Sequence, residues 1–267
     1  MRVDSITALA ETFCDAFYSG RYRGNLDFPI SSLMLDEAYQ IQDEVIRLRL
    51  AKGERVVGYK VGCTSDAIRR QFGLKEPING RLMEPHIDTG HRTLNWDDYV
   101  NCAIEPEFVF KIGRDLAGEY PNRDELIDAI EFVSAGIEVH NFKFWFTPPS
   151  SQELIASNGI HAGLIIGSEK VMANQLDFQT EAFSVFKDDV LVAQGTASDI
   201  MGDPIHSLRW LVSHLSRRGE CLKAGQIVIP GSPVKLVEIH RDTKLRIEIS
   251  RVGSVVADFV SNRCTKV

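Results

Sequence analysis

The chain has 267 residues, 44% of them hydrophobic and 25% charged, a composition typical of a globular protein with a full core. Its formal net charge of −7 argues against nucleic acid or an anionic membrane surface as the main partner. The five cysteines are scattered without a CxxC pair, and no apolar run approaches the roughly 20 residues of a membrane span, so we expect free thiols and a cytoplasmic protein.

The first fifty residues predict helices. Apolar residues recur there at helical spacing in two stretches, and each stretch ends at a glycine that suits a helix C-terminus. A strand-like alternation, a short helix and a loop with turn-forming residues follow. In chain order, these predictions are helices over 5–20 and 31–53, a strand over 55–65, a helix over 65–73 and a loop over 74–82.

The remainder predicts mostly strands. They cover 103–112, 134–142, 160–168, a hairpin over 183–195, and 226–232, 233–239, 244–250 and 254–260. Helices are predicted over 122–133, from a capping box at Ser150 and Glu153, and over 203–219. We therefore predict an α+β fold with a helical N-terminal region, residues 1–55, and one continuous β-rich unit, residues 56–267.

Two glutamates interrupt an apolar, strand-like run. Glu105 and Glu107 lie two positions apart, so on a strand both side chains point to the same face. A buried carboxylate is costly unless it is paired or bound to a metal. Glu138 lies in a second apolar run, and the helix predicted between the two runs would let their strands lie near each other.

Three converging carboxylates repel one another unless a cation neutralises them. Oxygen ligands favour a hard divalent ion such as Mg²⁺, Mn²⁺ or Ca²⁺ over zinc, and three protein ligands leave positions open for water or substrate. The alternative is that Glu105 and Glu107 face solvent while Ile104 and Phe108 face the core. Spacing alone does not separate these two interpretations.

Two further segments could serve a site. Lys60 lies in an apolar strand beside glycines, where a lysine near carboxylates can carry a proton or a fixed charge; the alternative is an ordinary edge-strand lysine. The turn at Gly231 and Ser232 could offer backbone N–H groups and a hydroxyl to a carboxylate, or it could be a plain β-turn.

Six motifs occur in the order and at the distances of one known family. They resemble the fumarylacetoacetate hydrolase superfamily, in particular its branch of 2-keto-4-pentenoate hydratases and oxalocrotonate decarboxylases. The similarity runs from about residue 35 to about residue 260. The motifs are "GYKVGCTSDAIRRQFGL", "IEPEFVFKIGRDL", "AIEFVSAGIEV", "GDPIHSLRWLVSHL", "GECLKAGQIVIPGS" and "RVGSVVADF".

The resemblance implies both a fold and a site. It implies a mixed β-roll or sandwich after a helical N-terminal region. It also implies that Glu105, Glu107 and Glu138 hold Mg²⁺ or Mn²⁺, and that Lys60 is the catalytic candidate in the pocket. The turn at Gly231 and Ser232 would lie over the carboxylate of a 2-oxo acid whose two oxygens chelate the ion, which stabilises the enolate formed during hydration, decarboxylation or C–C cleavage.

The chain departs from the branch at two positions that bear on the reaction. Hydratases of the branch usually carry Asp where this chain has Ile78, and an apolar residue there is typical of decarboxylases. The branch commonly has an acidic residue where this chain has Ser157, whereas the adjacent Asn158 is kept as a candidate substrate-binding residue.

The segment after Glu138 is also unusual. His140 lies on the same strand face as Glu138 and is a second candidate substrate-binding residue, with a hydrogen-bonded structural histidine as the alternative, which also applies to His161. Residues 141–152 differ from typical members in length and composition. Phe142, Phe144, Trp145 and Phe146 could wall a pocket, or they could simply pack in the core or at a subunit interface.

The resemblance leaves three functions open. The first is a metal-dependent lyase, either a hydratase or a decarboxylase. The second is a C–C hydrolase of an acylpyruvate, which needs a water-activating His–Glu pair, for which His86 and Glu84 are the close candidates in the N-terminal half. The third is a non-catalytic partner subunit. We expect a small-molecule 2-oxo acid substrate and a homodimer or higher homo-oligomer, with a paralogous partner subunit as a further possibility.

Overall fold

The computed structural model describes residues 3–21, 30–142 and 149–261. Within these residues the chain forms six α-helices and 13 β-strands. The helices are α1 Val3–Ser19, α2 Leu35–Ala51, α3 Asp66–Gln71, α4 Arg123–Ala129, α5 Ser151–Ala156 and α6 Pro204–Arg217. Among the residues described, no helix is both long enough and apolar enough to cross a lipid bilayer.

The strands form two sheets. They are β1 Arg55–Gly62, β2 Ile78–Glu84, β3 Ile87–Thr89, β4 Arg92–Asn95, β5 Cys102–Ile112, β6 Ile130–Asn141, β7 His161–Ile166, β8 Ala182–Lys187, β9 Val190–Thr196, β10 Ile227–Ile229, β11 Val237–Glu238, β12 Thr243–Ile249 and β13 Gly253–Val260. The larger, eight-stranded sheet has the order β2-β1-β10-β5-β6-β7-β3, with β11 paired to β5, and the smaller sheet has the order β4-β13-β12-β8-β9.

The main hydrophobic core lies between the two sheets. Alternate residues of β5 and β6 face it from the larger sheet, and residues of β8, β12 and β13 face it from the smaller one, with one side of α6 packed on the same core. The rings of Phe108 and Phe183 join the sheets edge to face, with centroids 4.8 Å apart. This architecture confirms the predicted α+β fold with packed mixed sheets.

A second cluster joins the N-terminal helices to the larger sheet. Apolar residues of α1 and α2, among them Phe13 and Ile41, pack with Leu154 and Ile155 of α5 and with Ile78 of β2. The buried Gln42 of α2 ties these parts together, because its side-chain N–H groups donate to the carbonyl oxygens of Asn79 and Ile155. The helical region thus covers the edge of the sheet that begins at β2.

Most predicted elements are present, and their local causes are visible. The capping box at Ser150 starts α5, because the Ser150 side chain accepts from the Glu153 N–H and the Glu153 side chain accepts from the Ser150 N–H. Asp203 caps α6 ahead of Pro204, which has no N–H to leave unpaired. In the described part of the chain the cysteines are free, as expected, and Cys264 lies outside it.

Three of the predicted elements are wrong in part. Residues 130–133 belong to β6 and not to a helix, because they pair with the far end of β5. The loop over 74–82 contains the start of β2, which pairs antiparallel with β1 despite its turn-forming residues. The strand over 233–239 is reduced to the two residues of β11. Pairing partners distant in sequence override local preference in the first two cases.

On the β8–β9 hairpin, we expect a buried valine to contribute more to the free energy of unfolding than an exposed one. Val185→Ala, at a fully buried position, should lower the free energy of unfolding by about 2 kcal/mol, through lost transfer energy and a cavity. Val190→Ala, on the same hairpin but 63% exposed, loses the same β-propensity and should cost less than about 1 kcal/mol. Urea unfolding measures both, and equal losses would contradict this packing.

Candidate metal centre

Strand pairing brings the predicted carboxylates together on one face of the larger sheet. Ile104 and Phe108 of β5 face the core, so Glu105 and Glu107 point to the opposite face. The antiparallel pairing of β5 with β6 places Glu138 directly across from Glu105. Glu107 and Glu138 are fully buried, which excludes a solvent-facing role for them.

Lys60 lies among these carboxylates. Its Nζ is 3.0 Å from Glu138 Oε1 and donates to the carbonyl oxygen of Gly159 at 3.3 Å. Its strand, β1, is internal, because it pairs with β2 on one side and β10 on the other, so Lys60 is not an edge-strand lysine. Burial opposes its charge, but Glu138 and Glu105 raise the pKa of Lys60 above its ordinary value.

Two buried histidines complete the cluster. His140 Nε2 lies 3.1 Å from Glu105 Oε2 and 3.3 Å from Glu138 Oε2. His161 contacts the other oxygen of the same carboxylate, with its Nδ1 2.8 Å from Glu138 Oε1. Burial lowers the pKa of His161 to about 4, so its imidazole is neutral near pH 7 and must donate through Nδ1–H.

A β-bulge sets the positions of the two histidines. The pairing of β6 with β7 shifts between Val139 and His140, so His140 lies opposite His161 and not opposite Ala162. A bulge of this kind re-aims side chains and is common beside functional sites. Here it places one imidazole on each side of the Glu138 carboxylate.

Glu107 is held by the turn after β10. The Gly231 N–H donates to Glu107 Oε2 at 2.9 Å, while Glu107 Oε1 is buried and has no hydrogen-bond partner among residues 3–21, 30–142 and 149–261. Gly231 has φ of +119°, and a Cβ there would lie 2.5 Å from the Thr64 side chain, so the position requires glycine. Burial, Glu138 and Glu105 together raise the pKa of Glu107 well above its usual range.

The arrangement fits a divalent cation. Three carboxylates share the pocket with one lysine, and their mutual repulsion contributes to the raised pKa of Glu107, a repulsion that a divalent cation would relieve. Burial disfavours the charge of Glu138, yet His140 and Lys60 hold its pKa well below the usual range, so it stays ionised. Among the described residues, neither Glu107 Oε1 nor Glu138 Oε2 accepts a well-aligned hydrogen bond, although Glu138 Oε2 lies 3.3 Å from His140 Nε2, so both oxygens could ligate a cation.

The donor atoms that lie closest together do not match the predicted ligand set in full. Within the described residues, one ligand atom each from Glu105, Glu138 and His140 lies within 4.8 Å of the others, and Glu107 is outside this group. Cys63 lies close enough to the cluster for the charges of Lys60 and Glu105 to shift the pKa of its thiol. Burial raises the pKa of its thiol to about 11, so it is no thiolate ligand near pH 7.

Ile78 and Asn158 both lie near Lys60. The side chains of Ile78 and Lys60 flank the space above Gly62, 3.4 and 3.6 Å from where a Cβ would be. Asn158 is buried and bound on both sides by the backbone of Arg81, since its Oδ1 accepts at 2.7 Å and its Nδ2 donates at 2.9 Å. Asn158 therefore fixes the end of α5 to β2 in this structure.

Other predicted site residues lie elsewhere. The Ser232 hydroxyl hydrogen-bonds to the backbone of Val234 within its own turn. His86 contacts Glu54 at 3.3 Å, and Glu84 is paired with Arg55, so His86 and Glu84 do not form a pair. Phe144, Trp145 and Phe146, which the sequence offered as a possible pocket wall, are outside the described residues.

His161 was predicted from the sequence only as a structural histidine, yet the structure places it in the site. It lies at the start of β7, in a run of otherwise apolar residues, as Glu138 does in β6. A polar side chain within a fully buried strand is the signal that both share. Its contact with Glu138 depends on the bulge, which the sequence does not reveal.

The sequence is similar to curated hydratases along nearly its whole length. It is 27% identical over 254 residues to the 2-keto-4-pentenoate hydratase of Paraburkholderia xenovorans strain LB400, covering 95% of this chain and 94% of that relative. No protein-family model matches the chain.

The fold is shared with solved structures. The 4-oxalocrotonate decarboxylase from Pseudomonas putida G7, complexed with magnesium and adipate, superposes with a TM-score of 0.91 at 24% identity, covering 97% of this chain and 99% of that one. The fumarylpyruvate hydrolase from Pseudomonas aeruginosa, in complex with Mn²⁺ and pyruvate, has a TM-score of 0.60 at 18% identity, covering 76% and 88%.

The sequence similarity, the shared fold and the carboxylate cluster agree with the motifs read from the sequence. The chain is thus similar in sequence to 2-keto-4-pentenoate hydratases, and it shares its fold with a 4-oxalocrotonate decarboxylase and a fumarylpyruvate hydrolase.

Proposed function

We propose that this chain is a divalent-metal-dependent lyase that acts on 2-oxo or 2-hydroxydienoic acids. The observation that carries the proposal is the convergence of the partly exposed Glu105 and the buried Glu138 beside Lys60, whose Nζ is 3.0 Å from Glu138. Similarity to enzymes named as hydratases supports the substrate class. A small 2-oxo acid is the substrate that such a site fits.

Glu105, Glu107 and Glu138 are the proposed holders of Mg²⁺ or Mn²⁺. When bound, such an ion supplies Lewis-acid stabilisation of the negative charge that develops at a keto oxygen. Glu138 stays ionised because His140 and Lys60 lie beside it. The Gly231 N–H fixes one oxygen of Glu107, which leaves the other to face the pocket.

Lys60 is the proposed catalytic residue. Glu138 and the carbonyl of Gly159 hold its ammonium group in place, so the proton at Nζ is positioned before substrate arrives. A fixed cation in a water-poor pocket stabilises developing negative charge more strongly than one in bulk water. The same group can deliver or accept a proton at the substrate carbon chain.

The neighbouring residues are proposed to position the substrate. Gly231 and Ser232 form the turn that closes over the pocket, and the strict need for glycine at 231 lets the backbone approach closely. Asn158 holds the end of α5 against β2, beside Lys60. His140 faces both Glu105 and Glu138 and so bounds the pocket on the β6 side.

Decarboxylation is the reaction that the pocket favours. Ile78 is buried beside Gly62 and Lys60, so this wall carries no carboxylate that could activate water. Loss of CO₂ requires stabilised negative charge and one proton, both within reach of Lys60, and it needs no activated water. Hydration is the second candidate, because the relatives of similar length are named as hydratases.

The remaining alternatives stay predictions. For the C–C hydrolase, the pair of His86 with Glu84 is not formed. A non-catalytic partner subunit is less consistent with a buried cluster of uncompensated carboxylates, since such a cluster destabilises a chain that does not use it.

Assembly into a homodimer or larger homo-oligomer, or with a paralogous subunit, is a prediction from the family resemblance, and the cytoplasmic location is a prediction from the cysteine pattern and the apolar runs. The exposed apolar residues Val190, Leu191 and Val192 lie on β9, at the edge of the smaller sheet. An apolar edge strand of this kind suits a subunit contact.

We expect the carboxylates to be required for metal binding. Glu105→Gln should weaken Mn²⁺ binding by about 10-fold to 100-fold, because it removes a charged ligand, and Glu138→Gln should weaken it at least as much. Titration calorimetry with Mn²⁺ measures the affinities. Glu248→Gln, at a 49% exposed side chain on β12, is the control and should bind Mn²⁺ as the wild type does.

Lys60→Met should separate catalysis from metal binding. We expect kcat to fall by about 100-fold or more, because a positioned proton carrier is lost, while Mn²⁺ binds at least as tightly without the repulsion of the ammonium group. Lys223→Met, which removes an exposed lysine paired with Asp115, is the control and should leave kcat unchanged. An unaltered kcat in Lys60→Met would remove Lys60 from the reaction.

The reaction itself can be assigned by comparing two substrates in the presence of Mg²⁺. We expect CO₂ release from 2-oxohex-3-enedioate and slow or no hydration of 2-hydroxypenta-2,4-dienoate, because Ile78 provides no acid for water activation. Evolved CO₂ and loss of dienol absorbance measure the two reactions. Rapid hydration without CO₂ release would establish the hydratase instead.

A further inference from the structure

The donor atoms in the pocket include a nitrogen. His140 Nε2, Glu105 Oε2 and Glu138 Oε2 lie close together, with the nitrogen 3.1 and 3.3 Å from the two oxygens. We propose that His140 ligates the metal ion through Nε2, so that the centre binds Mn²⁺ and similar transition ions in preference to Mg²⁺. This inference rests on the proposed function, because it adds a ligand to the same site.

The spacing is that of atoms sharing one ion. Neighbouring ligand atoms around an octahedral ion with bonds of about 2.1 Å lie roughly 3 Å apart. The contacts of His140 have this length, yet neither of its ring nitrogens makes a hydrogen bond to protein in the described part of the chain. The contacts with Glu105 and Glu138 are therefore short but poorly aligned for hydrogen bonds.

Burial makes an unpartnered imidazole costly. The His140 side chain is 2% exposed, so water does not easily satisfy its nitrogens. An ion between His140 and the two carboxylates would satisfy Nε2 and the orphaned Glu138 Oε2 at once. Ligation through Nε2 leaves the ring proton on Nδ1.

His161 orients the proposed ligand Glu138 but is not itself a proposed ligand. Its Nδ1–H binds Glu138 Oε1, so the opposite oxygen, Oε2, remains turned toward His140. Hydrogen bonds of this type orient a ligating carboxylate. The two histidines pair across β6 and β7, yet only His140 lies in the group of close donor atoms.

A nitrogen ligand changes which ion the site prefers. Mg²⁺ favours oxygen ligands and keeps its waters, whereas imidazole suits first-row transition ions, whose affinity rises along the series from Mn²⁺ to Cu²⁺. With His140 in place, the preference for Mn²⁺ over Mg²⁺ should exceed that of His140→Gln by about 10-fold or more. Calorimetry with each metal alone measures this ratio.

Pulsed electron paramagnetic resonance of the Mn²⁺-loaded protein tests the bond directly. Wild-type protein should show the modulation of a directly bound ¹⁴N nucleus, and protein grown with ¹⁵N-histidine should show ¹⁵N modulation in its place. The signal should vanish in His140→Gln and persist in His161→Gln, the matched control, which also contacts Glu138 from a buried position.

The outcomes separate the inference from the proposed function. If wild-type protein binds Mn²⁺ and Glu105→Gln does not, but no histidine nitrogen couples to the ion, the inference is wrong and the proposed function stands. If coupling persists in folded His140→Gln, the inference is also wrong. If wild-type protein binds no Mn²⁺, both fail. If His140→Gln does not fold, persistence of the ¹⁵N modulation in labelled His161→Gln supports the inference, and its loss there overturns it.

Discussion

The burial of several carboxylates beside a single ammonium group is the constraint on which the site depends. Removing an ion from water costs several kcal/mol even after the protein relaxes, and like charges add to that cost. The ion pair of Lys60 with Glu138 offsets part of this desolvation cost. The hydrogen bond from the Gly231 N–H to Glu107 offsets another part. A divalent cation would offset the repulsion that remains, and this is why the proposed function places one there.

The fold makes this arrangement possible because the two faces of strand β5 have different surroundings. On β5, Ile104 and Phe108 anchor the core between the sheets, while Glu105 and Glu107 face the pocket from the same rigid segment. The ligands are thus held by the most deeply buried part of the molecule. The pocket is closed by parts distant in sequence, including the turn at Gly231 and the end of α5 at Asn158.

The periodicity of the sequence was sufficient to predict part of the site. Glu105 and Glu107 share a face because side chains alternate on a strand, and this needs only local information. Glu138 and Lys60 were candidates because each lies in an apolar, strand-like run, and the family resemblance joined them to the pair in one site. What could not be predicted depends on pairing between distant segments: β1 is internal because it pairs with β10, residues 130–133 extend β6, and Ile78 begins a strand. The bulge that brings His161 to Glu138 has no local signature in the sequence.

The most direct test is a crystal structure of the protein grown with Mn²⁺ and oxalate, a mimic of the pyruvate enolate, with data collected to locate manganese by anomalous scattering. We predict one strong anomalous peak within about 2.0–2.6 Å of oxygens from Glu105 and Glu138, with Glu107 beside it and oxalate in the open positions. Carboxylates that are splayed apart, with no manganese peak between them at high metal concentration, would contradict the account.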